Sequence, residues 1–300
     1  MLSPQFIFFI LAVIDLMLGG LISNCFIITV ILREWTTSRS LASTEQFFLS
    51  LSLTNLGATV VLIPSYINAY IFPIFTRNFI MLIVYPLDDF LVLSRHWFTA
   101  WLIVFYCIKI VNSTHSLFLW CKLKISWLVP WLIAGSLVVS LFFALFKLYI
   151  ILMKIQSNTT MIDIETNEEM SGYHTIGVHE ILVLIVGSGS SLLIVLVCSI
   201  LILASLCKHV YRLKCKEHHS RSIQTKAHVK ASGTILFSLF LYISFYVVQT
   251  LVMTANVGKI EGTFLTIVVI AYPSAQACIL LLVNRKFNQA ATQILPRCDT

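Results

Sequence analysis

A serine flanked by glycines is where a hydrolytic nucleophile would first be sought, and Gly187-Ser188-Gly189-Ser190 offers two. Such a serine needs a base within hydrogen-bonding reach. The apolar run around it contains no histidine, and four small residues in a row suit close helix packing better. The cysteines at 25, 107, 121, 198, 207, 215, 278 and 298 lack the paired Cys-x-x-Cys spacing of a metal site. Cys298 is third from the end, whereas a prenylation box needs the fourth position. The cysteines read as small packing residues, and no metal or cofactor is expected. What remains suits recognition rather than bond breaking. Asp88, Val92 and His96 recur at helical spacing with Asp89 and Leu93 beside them, and Tyr242, Phe245 and Gln249 share a second stripe. Carboxylates and an imidazole near aromatic rings can hold a small molecule by hydrogen bonds, charge and apolar contact. Two roles fit Asp88 and Asp89. They follow Pro86-Leu87 at an expected helix start, where carboxylates cap free N–H groups, and they also stand where a cationic ligand would be attracted.

The elements that must position these residues follow from composition. Of 300 residues 58% are hydrophobic and 11% charged, with mean hydropathy +0.92, whereas soluble domains are about a quarter charged. A membrane span needs about 20 mainly apolar residues. Seven such stretches are present: Ile7 to Leu32, Phe47 to Ile71, Phe90 to Val111, Ile125 to Phe146, Ile181 to Leu206, Ala231 to Thr254 and Thr263 to Val283. They predict an all-α membrane protein, a single seven-helix bundle over residues 1–300, with an outer loop 147–180, an inner loop 207–230 and a short tail 284–300. The start MLSPQFIFF lacks a basic n-region, so the first run is expected to be a retained span rather than a cleaved signal.

Charge sets the expected orientation, because basic residues near span ends stay in the cytoplasm. Fifteen of the 20 lysines and arginines fall on one side, including Lys109, Lys122, Lys124, Lys226, Lys230, Arg285 and Lys286. The other side takes Arg77, Arg95, Lys147, Lys154 and Lys259, with most of the acids. This places the amino terminus outside and the carboxyl terminus in the cytoplasm, with the plasma membrane as the expected location. The sequon at Asn158 then lies in the outer loop and is expected to carry a glycan. The sequon at Asn112 lies on the inner side and is expected to stay bare. No cysteine is expected in an outer loop, so no extracellular disulfide is expected either.

FYCIKIVNSTHSLFLWCKLKI, residues 105–125, resembles the third span and second inner loop of the type 2 bitter taste receptors, whose pattern is close to FYFLKIANFS..FLWLK.RI. GGLISNCFIITVILREW with LASTEQFFLSLSLTN resembles their first two spans, with Asn24, Trp35, Leu41, Glu45 and Gln46 in order. LASLCKHVYRL with QTKAHVKASGTILF resembles the fifth span, third inner loop and sixth span, and AYPSAQACILLLVNRKF the seventh. Departures are Asn55, where the family has an arginine, and Gln276-Ala277, where it has His-Ser. Counted back from Phe105-Tyr106, Asp88 and Val92 stand where the family commonly has a pocket-lining Trp and Asn.

The resemblance implies a G-protein-coupled receptor that binds a small bitter agonist from outside and activates a heterotrimeric G protein of the gustducin or Gi kind. It implies a pocket of Asp88, Asp89, Val92, Leu93, His96, Tyr242, Phe245 and Gln249, completed by Thr266 and Ile270. At the inner face it implies coupling or switching roles for Tyr106, Lys109, His209, Lys226, His228, Lys230 and Pro273. The bland alternatives are packing for the aromatics and anionic-lipid contact for the basic residues. The expected partners are agonist, G protein and lipid bilayer, and no nucleic acid. A transporter or channel is the alternative class. It would carry several ionisable groups inside its spans, whereas Asp15 is nearly the only one the sequence offers.

Overall fold

The computed structural model describes residues 4–66, 79–111, 116–160, 178–214, 237–251 and 259–294. Every regular element among them is helical: α1 (Pro4–Ser38), α2 (Ser43–Tyr66), α3 (Tyr85–Ile110), α4 (Ser116–Thr160), α5 (Ser190–Lys214), α6 (Phe237–Leu251), α7 (Lys259–Val283) and the short α8 (Arg285–Ile294). Wider π-helical turns lead into two of them, Ile80–Val84 into α3 and, after a helical turn Val178–Leu182, Val183–Gly189 into α5. Ile10–Ser38, Ile80–Ile110, Phe118–Gln156 and Val183–Lys208 are long and apolar enough to cross a membrane, and Phe237–Leu251 and Ile267–Leu282 are shorter apolar helices. A helix satisfies its own backbone groups, which is what lets it stand in hydrocarbon.

The apolar side chains are distributed inside out. Leu18, Ile22, Leu123, Trp127, Trp131, Phe142, Leu193 and Ile200 are exposed on the outside of the bundle, Leu123 to 85%. Asn24, Ser52, Asn55, Ser94, Ser140, Ser188, Ser191 and Ser199 are buried within it. Lipid is as apolar as leucine, so helix contacts rest on close packing and polar pairs rather than on hiding grease. Gly20 shows the packing: a β-carbon there would lie 2.8 Å from Ser274 Oγ, which donates to the Leu16 carbonyl at 2.6 Å and knits α1 to α7. Gly187 leaves room for Leu93 of α3 in the same way.

α3 is the axis of the bundle. Two-thirds of its apolar window is buried, against about a quarter for the corresponding windows of α1, α4 and α5, and it packs on α2, α4 and α5, while α1 lies against α2 and α7. One large apolar core fills the half of the bundle where α1 and α3 finish and α2 and α4 begin. It joins Ile27 and Ile31, Phe47, Phe48 and Leu51, Phe98, Leu102 and Phe105, Ile125 and Val129, Ala277 and Leu280, and Phe287 of α8. Lys109, Lys122, Lys124 and Lys286 gather at this end, here termed the basic end.

Several sequence expectations are corrected. Arg95, counted in the sequence among the charges of the outer side, lies within α3 and is 2% exposed. Asp15 is not the main ionisable residue of the spans. It sits on the exposed face of α1, whereas Asp89, Arg95 and His96 are buried. Asp88 and Asp89 cap nothing, since Val84, at the cap position, is already helical and makes no side-chain cap bond. The helix is already under way in the preceding π turn, where the Tyr85 N–H donates to the Ile80 carbonyl. α4 runs 45 residues, about 65 Å at 1.5 Å per residue, so the backbone of Asn158 lies in its last turns rather than in a loop. α5 continues to Lys214, into the stretch expected as an inner loop. The expected tail contains α8.

Candidate ligand-binding site and coupling face

The polar residues of α3 divide between two sides. Asp89 turns toward α4, where its carboxylate meets Lys147 Nζ at 2.9 Å, with His179 Nε2 at 3.8 Å. His179 also reaches the Phe143 carbonyl at 3.1 Å. Leu93 turns the same way and packs with Phe143 and Val183. These two expected pocket residues therefore join α3 to α4 and to the turns before α5.

Arg95 and His96 meet α6 and α7 instead. His96 sits edge-on to Tyr242 and tilted to Phe245, with ring centroids 5.3 and 5.5 Å away. The Arg95 guanidinium lies over Phe245 at 4.9 Å and over Tyr272 at 4.6 Å, and those two rings touch with centroids 4.3 Å apart. A cation over an aromatic face is held by about 2 kcal/mol or more once water is excluded. The Tyr242 hydroxyl pairs with Ser191 Oγ at 2.7 Å, tying α6 to α5. Among the buried polar atoms with no hydrogen-bond partner among the described residues are Asp88 Oδ1, Arg95 Nε and His96 Nε2 of α3 and Gln249 Oε1 of α6. A buried polar atom left unpaired costs about 1–3 kcal/mol, and such atoms cluster where a ligand or water completes the set.

Of the remaining expected pocket residues, Val92 is half-buried on α3. Ile270 turns away and packs with Val13 of α1, and the Thr266 side chain lies outside the described residues, although its backbone belongs to α7. Sequence reasoning missed Arg95 and Tyr272. Arg95 stands three residues after Val92 and seven after Asp88, so the helical spacing that selected Asp88 also reaches it.

Ser188 has an imidazole beside it after all, since His96 Nδ1 of α3 lies 3.4 Å from its Oγ. Helix packing brings together what the sequence of one span did not contain. The pair is wholly buried, and no acid orients His96 within hydrogen-bonding distance among the described residues, so it lacks the third group of a nucleophilic triad.

Below Arg95, four helices share a chain of amides. Gln276 Nε2 donates to Thr99 Oγ1 at 2.9 Å, Asn55 Nδ2 donates to Gln276 Oε1 at 2.9 Å, and Asn55 also reaches Asn24 Oδ1 at 3.4 Å. Asn24 Nδ2 donates to the carbonyls of Gly20 at 2.8 Å and Pro273 at 3.5 Å. Asn55 and Gln276 are thus direct partners. A cavity of about 90 Å³ opens beneath them, bounded by Thr99, Tyr106, Ile202, Leu241, Tyr272 and Gln276 among others.

At the basic end Tyr106 is half-buried against Phe105, and Lys109 Nζ lies 4.4 Å above the Phe105 ring. Lys286 of α8 binds Glu34 of α1 at 2.6 Å and Glu45 of α2 at 2.7 Å. Glu45 Oε2 accepts the Ala42 N–H at 2.8 Å, as in one half of a capping box. Burial alone pushes the Glu45 carboxyl up, but the bonds from Lys286 and Ala42 outweigh it and hold the group below its usual range. The same acids raise the Lys286 ammonium. The backbone of His209 belongs to α5, its side chain lies outside the described residues, and Lys226, His228 and Lys230 lie outside them entirely.

Comparison with known proteins places the whole chain in one family. The family described as "Taste receptor protein (TAS2R)" matches residues 1–299. Taste receptor type 2 member 8 of Pongo pygmaeus is 27% identical, over 98% of this chain and 97% of that relative. Member 2 of Homo sapiens is 28% identical over 92% and 91%, and member 1 of Chlorocebus aethiops 30% identical over 98% and 97%. With the match running the length of a helical bundle whose buried polar groups face α6 and α7, the chain belongs to the type 2 taste receptor family, G-protein-coupled receptors of bitter taste.

Proposed function

We propose that this receptor crosses the plasma membrane seven times, amino terminus outside, and binds small bitter compounds among α3, α6 and α7. Binding there shifts the bundle toward an arrangement that opens the basic end to a heterotrimeric G protein of the gustducin or Gi type. The cluster of unpaired buried polar atoms at Asp88, Arg95, His96 and Gln249 is the observation that supports the site. His96, Tyr242 and Phe245 form its wall, and Val92 and Thr266 complete it. Asp89 and Leu93 support it from behind by fixing α3 on α4.

Coupling passes through shared contacts. Tyr242 touches both His96 and Ser191, and Tyr272 stands one residue from Pro273, inside α7. An agonist that moves these rings changes the free energy of the helix arrangement by its differential affinity for the two states. Tyr106, Lys109, His209, Lys226, His228 and Lys230 are the groups proposed to hold the resting contacts and then meet the G protein.

The test is a calcium assay in cells that express this chain with a promiscuous G protein, challenged with a panel of bitter compounds. A concentration-dependent response that is absent from mock-transfected cells is expected. Silence to every compound, with surface expression verified, overturns the reading.

A further inference from the structure

Two thiols from different helices meet toward the basic end of the bundle. Cys107 of α3 and Cys198 of α5 are both free, and their side chains share a hydrogen bond. They belong to one apolar cluster with Ile202 and Leu206 of α5 and Ile103, Tyr106 and Ile110 of α3. Cys107 is 3% exposed and Cys198 half-buried. No Cys-x-x-Cys spacing announces the pair, because helix packing alone brings it together. A disulfide forms only between cysteines that are already neighbours in space, and these two are. The pair also lies within reach of a small neutral molecule. Ile103, Tyr106 and Ile202, which pack on the thiols, also wall the cavity of about 90 Å³, several times what one water needs. In the orientation proposed above this end faces the cytoplasm, where thiols are kept reduced and the disulfides that do form are transient and redox-sensing.

We propose that Cys107 and Cys198 form a dithiol site that hydroperoxides oxidise to a disulfide, tying α3 to α5 beside the coupling face and damping the signal. One sulfur, as its thiolate, attacks a peroxide oxygen; the O–O bond breaks, a sulfenic acid forms, and the departing hydroxide takes up the thiol proton as water. The other sulfur then attacks the sulfenic sulfur, the S–O bond breaks, and a second water leaves with the remaining thiol proton. Two thiols and one hydrogen peroxide thus give one disulfide and two waters, the sulfurs losing the two electrons that the peroxide gains. Exchange with two molecules of a small thiol such as glutathione restores the pair. Cys107 stands next to Tyr106 and two residues before Lys109, so a covalent tie there resists any parting of α3 from α5. The damping rests on the proposed opening of the basic end; the bond itself does not.

The test starts from the unmutated purified receptor, exposed briefly to hydrogen peroxide, blocked with N-ethylmaleimide and digested without reductant. Mass spectrometry is expected to find one peptide pair joined through Cys107 and Cys198, absent before treatment and lost with dithiothreitol. In cells, the same treatment should lower the maximal calcium response to an activating compound of the bitter panel about tenfold, the effect of each 1.4 kcal/mol by which the tie favours the closed arrangement. Reductant should restore the response, and Cys107→Ala and Cys198→Ala should each signal normally and ignore peroxide. Failure to find the joined peptides overturns the site, as does a peroxide effect that survives in both variants. If the variants fail to reach the surface, the peptide map of the unmutated receptor still decides. The bond formed with the calcium response unchanged overturns the damping. The bond formed in a receptor silent to every compound supports the site and defeats the receptor reading instead.

Discussion

At the scale of single residues, the informative positions are those whose polar groups pair across helices. Asn55 of α2 and Gln276 of α7 bond to each other at 2.9 Å. Polar pairs inside membrane bundles contribute about 0.6 kcal/mol on average and up to about 1.7. Asn55→Ala and Gln276→Ala are each expected to lower the unfolding midpoint of purified receptor, with the double variant losing clearly less than the sum; strict additivity would show that the pair does not act as one. The Asp89–Lys147 ion pair allows a similar test. Asp89→Ala should reduce surface expression, and Asp89→Lys with Lys147→Asp should recover part of it; no recovery would assign Asp89 a role other than joining α3 to α4. The sequence showed the residue types of the site but not their directions. Adjacent residues on a helix point about 100° apart, which is why Asp88 and Asp89, read as one motif, serve different neighbours. Arg95 was counted as one more charge of the outer side, because its burial against the rings of α6 and α7 depends on helix packing that one span's sequence does not contain.

At the scale of elements, the apolar runs were legible, because about 20 apolar residues in a row have few other uses in a protein of this composition. Helix ends were less so. Helices outrun the apolar stretch wherever the next residues have fair helix propensity and no proline or glycine intervenes, as α4 does to Thr160 and α5 to Lys214. α8 was missed because ten amphipathic residues give no span signal. It docks by Phe287, which is 2% exposed and lies against Phe48, and by the Lys286 bridge to α1 and α2. Lys286→Gln leaves Glu45, mostly buried, without its cation and is expected to cost about 1 kcal/mol of stability, read as a lowered melting midpoint. The pH dependence has two limbs. The depressed carboxyl of Glu45 stabilises the fold above the ordinary carboxylate range, and this is lost as pH falls through its lowered folded value. The raised ammonium of Lys286 stabilises it below the ordinary lysine value, and this is lost as pH rises through the raised one. Lys286→Gln should flatten both limbs of the melting midpoint against pH; an unchanged profile would separate the bridge from the stability of the bundle.

At the scale of the whole molecule, the sequence spoke most clearly, because charge asymmetry and hydropathy are sums over many residues and tolerate local error. Arg95 is one charge in 20, and the balance between the two ends does not depend on where it lies. The orientation proposed from that balance has a direct check. Asn158→Gln should remove a glycosidase-sensitive mass shift and Asn112→Gln should not; a shift that persists in the first variant would place the glycan, or the chain, otherwise. The cavity of about 90 Å³ beneath Gln276 and Tyr272 has a mechanical consequence as well. In the opening of the basic end proposed above, solvent enters that void, and the partial molar volume of the receptor is then expected to fall by about 50 mL/mol, within the range by which voids respond to pressure. Hydrostatic compression should therefore act as an agonist without a binding site. Raising the pressure on purified receptor is expected to populate the open arrangement in the absence of any bitter compound, and filling the void with Ile202→Phe should blunt the response.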